Sequence, residues 1–288
     1  MQIYRLEDKC SNCMLCVREC VSGIWRNVNG VPTPVEIDLC NRCSHCIAVC
    51  PKNAIVHEGL DAKQALPVKS LKIDPEAYRG IVLSRRSVRQ YKDRAVPREL
   101  IGRILDLARY SPTASNDQNV GFITVTDRAL IGEIAGGIFG FADRLAARLE
   151  TGPGRLFMKV TGLAKNRYIR RMDYAREMVA GGRDIILHNA PVMILVHGPA
   201  KGSFVCDNCS IAATNIINYA HALGLGTCYI GFMTLALRFS KKLGKKLKVP
   251  EGRKVYASLV MGYPAYSHPN TVSRKKADIL WIEKSVNS

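Results

Sequence analysis

Two runs decide how this chain is read. The first is Cys10-Ser11-Asn12-Cys13-Met14-Leu15-Cys16-Val17-Arg18-Glu19-Cys20. The second is Cys40-Asn41-Arg42-Cys43-Ser44-His45-Cys46-Ile47-Ala48-Val49-Cys50-Pro51. Both have the spacing C-x2-C-x2-C-x3-C. Three thiolates this close can wrap one face of an iron–sulfide cubane. Zinc is the alternative guest, since C-x2-C pairs also bind it. A zinc site closes with four ligands, however, and a third Cys at x2 followed by a fourth at x3 is not its usual spacing.

Outward from these runs, the 288 residues hold 11 cysteines, eight before residue 51 and three after residue 200. No basic, apolar leader with a cleavage site opens the chain, so a secreted protein is not expected. Clustered thiols then point to metal ligation in a reducing, cytoplasmic setting and not to disulfides. The charge splits the other way. Residues 1–60 hold six basic and six acidic side chains, and residues 61–288 hold 36 basic and 18 acidic ones, so the whole +18 lies in the second part. Two units with different tasks are expected. Apolar residues make up 47%, an ordinary globular share that argues against disorder. The longest uncharged run, residues 208–237, carries Asn208, Thr214, Asn215, Asn218 and His221. Burying those in lipid is costly, so no membrane span is expected.

Residues 5–58 resemble the bacterial two-cluster ferredoxins. The second run matches well, including Cys50-Pro51 and the Asn53-Ala54-Ile55 that follows. The first departs, with Val21 where the pattern has Pro, which adds a backbone N–H near Cys20. In that family the fourth Cys of each run reaches the other cluster. The resemblance therefore implies two [4Fe-4S] clusters, one held by Cys10, Cys13, Cys16 and Cys50 and the other by Cys40, Cys43, Cys46 and Cys20. His45 and His57 read as loop residues, because every ligand position already has a thiolate. Trp25 reads as packing.

Residues 61–78 contain Pro67 and Pro75 and no long apolar stripe, which reads as a linker between a domain at 1–60 and a domain at 79–288. Beyond it, Ile101, Ile104, Leu105 and Ala108 follow i, i+3, i+4, i+7, which predicts an amphipathic helix ending at Ser111-Pro112. Strands are predicted at 120–126, 191–196 and 255–261, and helices at 128–150, 170–188 and 207–223. Gly152-Pro153-Gly154 reads as a break. Helices interleaved with apolar strands indicate a layered α/β or α+β domain. Nucleotide motifs of the Walker or Rossmann type are missing; Gly224-Leu225-Gly226-Thr227-Cys228-Tyr229 fails at the last glycine and follows a helix.

Three segments stand out in this half: Arg85-Arg86-Ser87-Val88-Arg89, a polar turn at 111–119, and Gly262-Tyr263-Pro264 with Arg274-Lys275-Lys276 beyond it. Guanidinium forks beside a hydroxyl suit a phosphate, although a solvated basic face explains the first segment alone. In order, Arg85-x-Ser87-x-Arg89, Pro112-Thr113-Ala114-Ser115-Asn116-Asp117-Gln118, Ala190-Pro191, Gly224-Leu225-Gly226 and Gly262-Tyr263-Pro264 resemble the nitroreductase-like flavoprotein family over residues 80–280. The resemblance implies an α+β fold with a central sheet flanked by helices, a homodimer, and FMN between the subunits. Arg85, Ser87 and Arg89, with Arg86 beside them, would hold the flavin phosphate, ribityl and pyrimidine edge. Asn116 and Gln118 would reach the isoalloxazine or ribityl. Tyr229, Ile230 and Gly231 would offer backbone N–H groups, and Arg274 or Lys276 would close on the phosphate.

Joined, the halves imply an FMN-dependent oxidoreductase. Electrons from a low-potential donor such as ferredoxin or flavodoxin would pass through the clusters to FMN and on to a small organic acceptor of nitroaromatic, quinone or activated-alkene type. NAD(P)H could feed the flavin directly. A relay without turnover is the rival reading. The basic cluster Lys241, Lys242, Lys245, Lys246 and Lys248 reads as a solvated helix face, so no nucleic-acid partner is expected. The positive charge suits phosphate and acidic donors. Cys206 and Cys209 form a C-x2-C that reads as core packing ahead of a redox dithiol. The stretch 136–180 fits the family pattern poorly, as a lid or a partner surface.

Overall fold

A computed structural model gives the fold and describes residues 1–61, 67–161 and 171–283. Residues 62–66 of the segment read as a linker lie outside the described residues. So do residues 162–170 of the stretch 136–180, Arg170 of the expected helix among them.

The N-terminal unit runs β1 (Ile3–Arg5), α1 (Leu15–Glu19), β2 (Trp25–Val28), β3 (Val31–Pro34), α2 (His45–Val49) and β4 (Ile55–His57). β1 pairs antiparallel with β4, and β2 with β3. Each cysteine run folds the same way. A left-handed residue, Met14 at φ 59° or Ser44 at φ 66°, turns the chain into a five-residue helix that ends on the fourth cysteine. Positions thirty residues apart are therefore equivalent. Ile3, Cys16, Ile24, Trp25 and Ile55 form the small core between the copies.

The larger unit begins earlier than its linker reading allowed. α3 (Pro75–Ser84) starts at Pro75 because Asp74 caps it, accepting from the Glu76 and Ala77 amides. Then come α4 (Arg98–Ala108), β5 (Gly121–Val125), α5 (Arg128–Leu149), α6 (Gly152–Thr161), α7 (Met172–Ala180), β6 (Val192–Pro199), α8 (Val205–Ala222), β7 (Gly226–Tyr229), α9 (Gly231–Phe239), α10 (Lys241–Lys246) and β8 (Arg253–Gly262). The sheet order is β5-β6-β8-β7, antiparallel throughout, so the class is α+β. The expected helix over 170–188 stops at Ala180, where Gly181 and then Gly182, at φ 80°, end it. Gly152 opens a helix where a break was read, since Pro153 is tolerated in a first turn.

Both faces of the sheet are covered, which is why β6 reads as one apolar run. Val192, Ile194 and Val196 face α4 and α8, packing on Ile104, Ala212, Ala213 and Ile216. Met193 and Leu195 face the other way, onto Ile131 and Ile134 of α5 and Met233 of α9. The uncharged segment 208–237 resolves into α8, β7 and α9. No helix among the described residues is long and apolar enough to cross a membrane.

Two glycines are fixed by close approach. A Cβ on Gly226 would stand 2.5 Å from Val88 Cγ2, and one on Gly262 would stand 2.7 Å from Pro191 Cδ and 2.9 Å from Tyr91 Cδ1. Four of the five quoted motifs are thus packing partners. The segment around Ser87 lies along the outer edge of β7, with a parallel bridge to Thr227, and Tyr91 bridges Pro264.

Candidate functional site

The eight clustered cysteines line two cavities, divided as the ferredoxin resemblance implies. One is lined by Cys10, Cys13, Cys16 and Cys50. The other is lined by Cys20, Cys40, Cys43 and Cys46. All eleven cysteines of the chain are free thiols. Among the described residues no three His, Cys, Asp or Glu side chains close on a single ion. Zinc needs thiolates drawn to about 2.3 Å around one point. Open cages of four thiols suit a larger polynuclear guest. Backbone N–H groups already aim at sulfur: Ile24 N–H donates to Cys20 Sγ at 3.2 Å, Ala54 N–H to Cys50 Sγ at 3.2 Å and Arg42 N–H to Cys40 Sγ at 3.4 Å. Burial pushes the Cys46 thiol up to about 11. The exposed Cys13 thiol sits below its ordinary value, chiefly through the Leu15 backbone N–H.

The polar turn at 111–119 is a strained loop on a firm base. Ser115, Asn116 and Gln118 are left-handed, at φ 53°, 55° and 47°. Asn208 of α8, 2% exposed, accepts from the Ala114 N–H at 3.0 Å. Asn215 donates to Ser111 Oγ at 2.8 Å. The Gln118 N–H donates to Thr113 Oγ1 at 3.0 Å. Asn208 and Asn215 were visible only as polar residues in an uncharged run; their task is to hold this turn. The Asn116 amide itself reaches the other unit, donating to Asn41 O at 2.9 Å and Arg42 O at 3.0 Å. Asn41 lines the second cage.

At the β7 edge, Val88 N–H donates to Thr227 O at 2.9 Å and Tyr91 Oη–H to Val88 O at 2.6 Å. Burial raises the Cys228 thiol, with Arg89 and Ser87 offsetting part of the rise. Burial lowers His188, and Arg89 adds to that, so Arg89 stands among Ser87, His188 and Cys228. Neither Arg85 nor Arg89 forms an ion pair with an acidic group among the described residues. Arg86 is used differently. It donates to Leu83 O, Arg85 O and, at 2.6 Å, Asn270 O, clamping the C-terminal tail. The Ile230 N–H is taken by Ser258 O at 2.8 Å, which leaves Gly231 opening α9. Arg274 and Lys276 are exposed on the tail. The structure thus groups Arg85, Ser87, Arg89 and Tyr229 along one edge, and puts Asn116 and Gln118 on a turn that meets the cage-bearing unit.

A family profile described as the nitroreductase family matches residues 82–263. The chain belongs to that family. A second profile, a 4Fe-4S dicluster domain, matches residues 9–55. A protein of Methanothermobacter thermautotrophicus, provisionally named an NADH dehydrogenase/NAD(P)H nitroreductase, is 29% identical over 203 residues, covering 70% of this chain and 85% of its own. Among solved structures, an FMN-bound nitroreductase from Bacteroides fragilis aligns with TM-score 0.55 at 21% identity, over 72% of this chain and 98% of its own. One from Desulfitobacterium hafniense, also with bound FMN, aligns with TM-score 0.55 at 22% identity and the same coverage. The chain is therefore an oxidoreductase of the nitroreductase family carrying an N-terminal iron–sulfur domain.

Cys206 is exposed, whereas Cys209 is fully buried, and burial pushes its thiol up to about 12. That is the behaviour of a core residue and the reverse of an activated dithiol.

Proposed function

We propose that the chain is a cytoplasmic FMN-dependent oxidoreductase in which two [4Fe-4S] clusters, held in the cages of residues 1–60, supply electrons to FMN in the domain at 79–288, and FMN reduces a nitroaromatic, quinone or activated alkene. When bound, the clusters provide one-electron transfer and the flavin couples it to two-electron chemistry. The observation that carries the reading is the Asn116 amide, which joins the flavoprotein turn to the cluster loop at Asn41 and Arg42. Arg85 and Arg89, without an acidic partner among the described residues, would bind the FMN phosphate, and Ser87 the ribityl. Arg86 holds the tail from which Arg274 or Lys276 would close. Gln118, Tyr229 at the end of β7 and Gly231 at the start of α9 would orient the ring, the Ile230 N–H being taken by Ser258 O.

A second copy completes the site. Phe232, Leu235 and Phe239 on α9, and Ile279, Leu280, Trp281 and Ile282 on the tail, are all exposed. Such apolar surface is what a homodimer covers. The donor is a low-potential ferredoxin or flavodoxin. NAD(P)H is the second reading, because the relatives' names carry it.

Anaerobic purification with iron and flavin analysis tests the cofactors; about eight irons and one FMN per chain are expected. Stopped-flow mixing with reduced ferredoxin tests the route. Flavin bleaching at the wild-type rate in a Cys13→Ser, Cys43→Ser variant would sink it, and bleaching by NADH or NADPH in that variant would select the second reading.

A further inference from the structure

The two cages are built from equivalent positions, yet they are not alike. Each receives one matching backbone donor, Ile24 N–H on Cys20 and Ala54 N–H on Cys50, both at 3.2 Å. The next position differs. It is Ile55 at the first cage and Trp25 at the second. Trp25 is 2% exposed, and its Nε1–H has no hydrogen-bond partner among the described residues. A buried donor left unpaired is costly and calls for an acceptor. Here it sits in the wall of a thiol cage, beside Cys46.

A second side chain does the same. His57 is buried, and its Nε2 lies 3.4 Å from Cys40 Sγ. The Gly59 N–H donates to His57 Nδ1 at 3.2 Å. Nδ1 is therefore the acceptor, so the proton is on Nε2 and points at sulfur. The first cage has no counterpart. Its non-cysteine lining is Met14, Leu15, Pro32, Pro51, Ala54 and Ile55, with only the exposed Ser11 and Lys52 carrying polar groups.

We infer that Trp25 Nε1–H and His57 Nε2–H are hydrogen-bond donors to the cluster of the second cage, and that they make it the more easily reduced of the two. This rests on the two-cluster reading above. Reduction adds one electron and hence negative charge, and N–H dipoles aimed at sulfur favour the more negative state. Their effect is large because the site is desolvated. The second cage is also the one whose loop Asn116 holds. One electron leaves the first-cage centre, which is oxidised, and enters the second-cage centre, which is reduced; no bond or proton changes. The electron comes from the external low-potential donor, and the gradient draws it toward the flavoprotein half.

The test is an EPR-monitored redox titration of the cluster-loaded full chain, with Cys13→Ser and Cys43→Ser assigning each midpoint to its cage. Trp25→Phe keeps the ring and removes the N–H. At the wild-type midpoint, the reduced-to-oxidised ratio of the second-cage centre should fall by a factor of about two to ten, the latter being 59 mV for one electron. The first-cage midpoint should not move. His57→Leu should act in the same direction, and His57→Gln, which retains an N–H donor, should stay near wild type. Unchanged midpoints in both Trp25→Phe and His57→Leu, or a wild-type second cage with the lower midpoint, overturn the inference and leave the two-cluster reading standing. Fewer than about eight irons in the wild-type chain overturns that reading, and the gradient with it.

Discussion

Replacing Asn208 by Ala should release the turn that joins the two units. Asn208 Oδ1 is the acceptor for Ala114 N–H at 3.0 Å, and its Nδ2 donates to Asn119 Oδ1 at 3.5 Å. Truncation leaves a part-buried amide without an acceptor, at a cost of about 1–3 kcal/mol. The same turn carries Ser115 at φ 53°, Asn116 at φ 55° and Gln118 at φ 47°. A left-handed backbone costs about 1–2 kcal/mol in a residue such as Ser or Gln, and less in Asn. Ser115 and Gln118 together store about 2–4 kcal/mol, at least as much as this one anchor supplies, so the turn depends on it. For a unit of this size the melting temperature should fall by roughly 2–12 °C, measured by circular dichroism on the loaded chain under anaerobic conditions. Hydrogen exchange at the Ala114 and Gln118 amides should quicken together. Adding Ser115→Gly should recover about 1 kcal/mol, since glycine adopts positive φ freely. A wild-type melt with unchanged exchange at both amides would refute the reasoning.

Three other outcomes follow from the same geometry. Gly262→Ala should destabilise by about 1–3 kcal/mol through overpacking against Pro191 and Tyr91, read as a lower melting temperature with unchanged iron content. Arg85→Ala and Arg89→Ala should each weaken FMN binding in a salt-dependent way, by fluorescence titration, whereas Arg86→Ala should chiefly expose the tail to proteolysis. Cys209 titrates at about 12 when folded, above the 9.0 of a free thiol. Its contribution is complete below pH 9 and is lost as pH rises from about 9 to 12. Cys209→Ala should therefore flatten the fall of melting temperature above pH 9, and equal slopes in variant and wild type would disprove it.

The cage ligands were legible because three of each four are spaced locally, within seven residues of one run, and the fourth closes the other run. Strands β6 and β8 were legible because a sheet covered on both faces imposes unbroken apolar runs. β7 and α9 were missed. Four residues of strand followed by a glycine-started helix leave little periodicity, and only the helix at 207–223 was read there. The start of α3 had a signal, Asp74-Pro75-Glu76, that the proline-based linker reading masked. Asn208 and Asn215 could be seen as polar residues but not as anchors, since their partners lie about ninety to a hundred positions away in the chain. Trp25 read as packing, and it is packed; what distinguishes it is the N–H, which superposing the two thirty-residue copies sets against Ile55.

The strand-like segment at Ser87 has a consequence for handling the protein. It seals the outer edge of β7, with Arg86 clamping the tail outside it and Gly226 and Gly262 giving it room. The residues proposed to grip the flavin phosphate are therefore the same ones that cover a sheet edge. An uncovered edge offers unpaired backbone groups to any passing chain. Where the flavin phosphate adds to the hold on this segment, its loss weakens the cover of the edge, so flavin-depleted preparations should aggregate sooner than loaded ones, and added FMN should restore solubility without raising the stability of the cage unit.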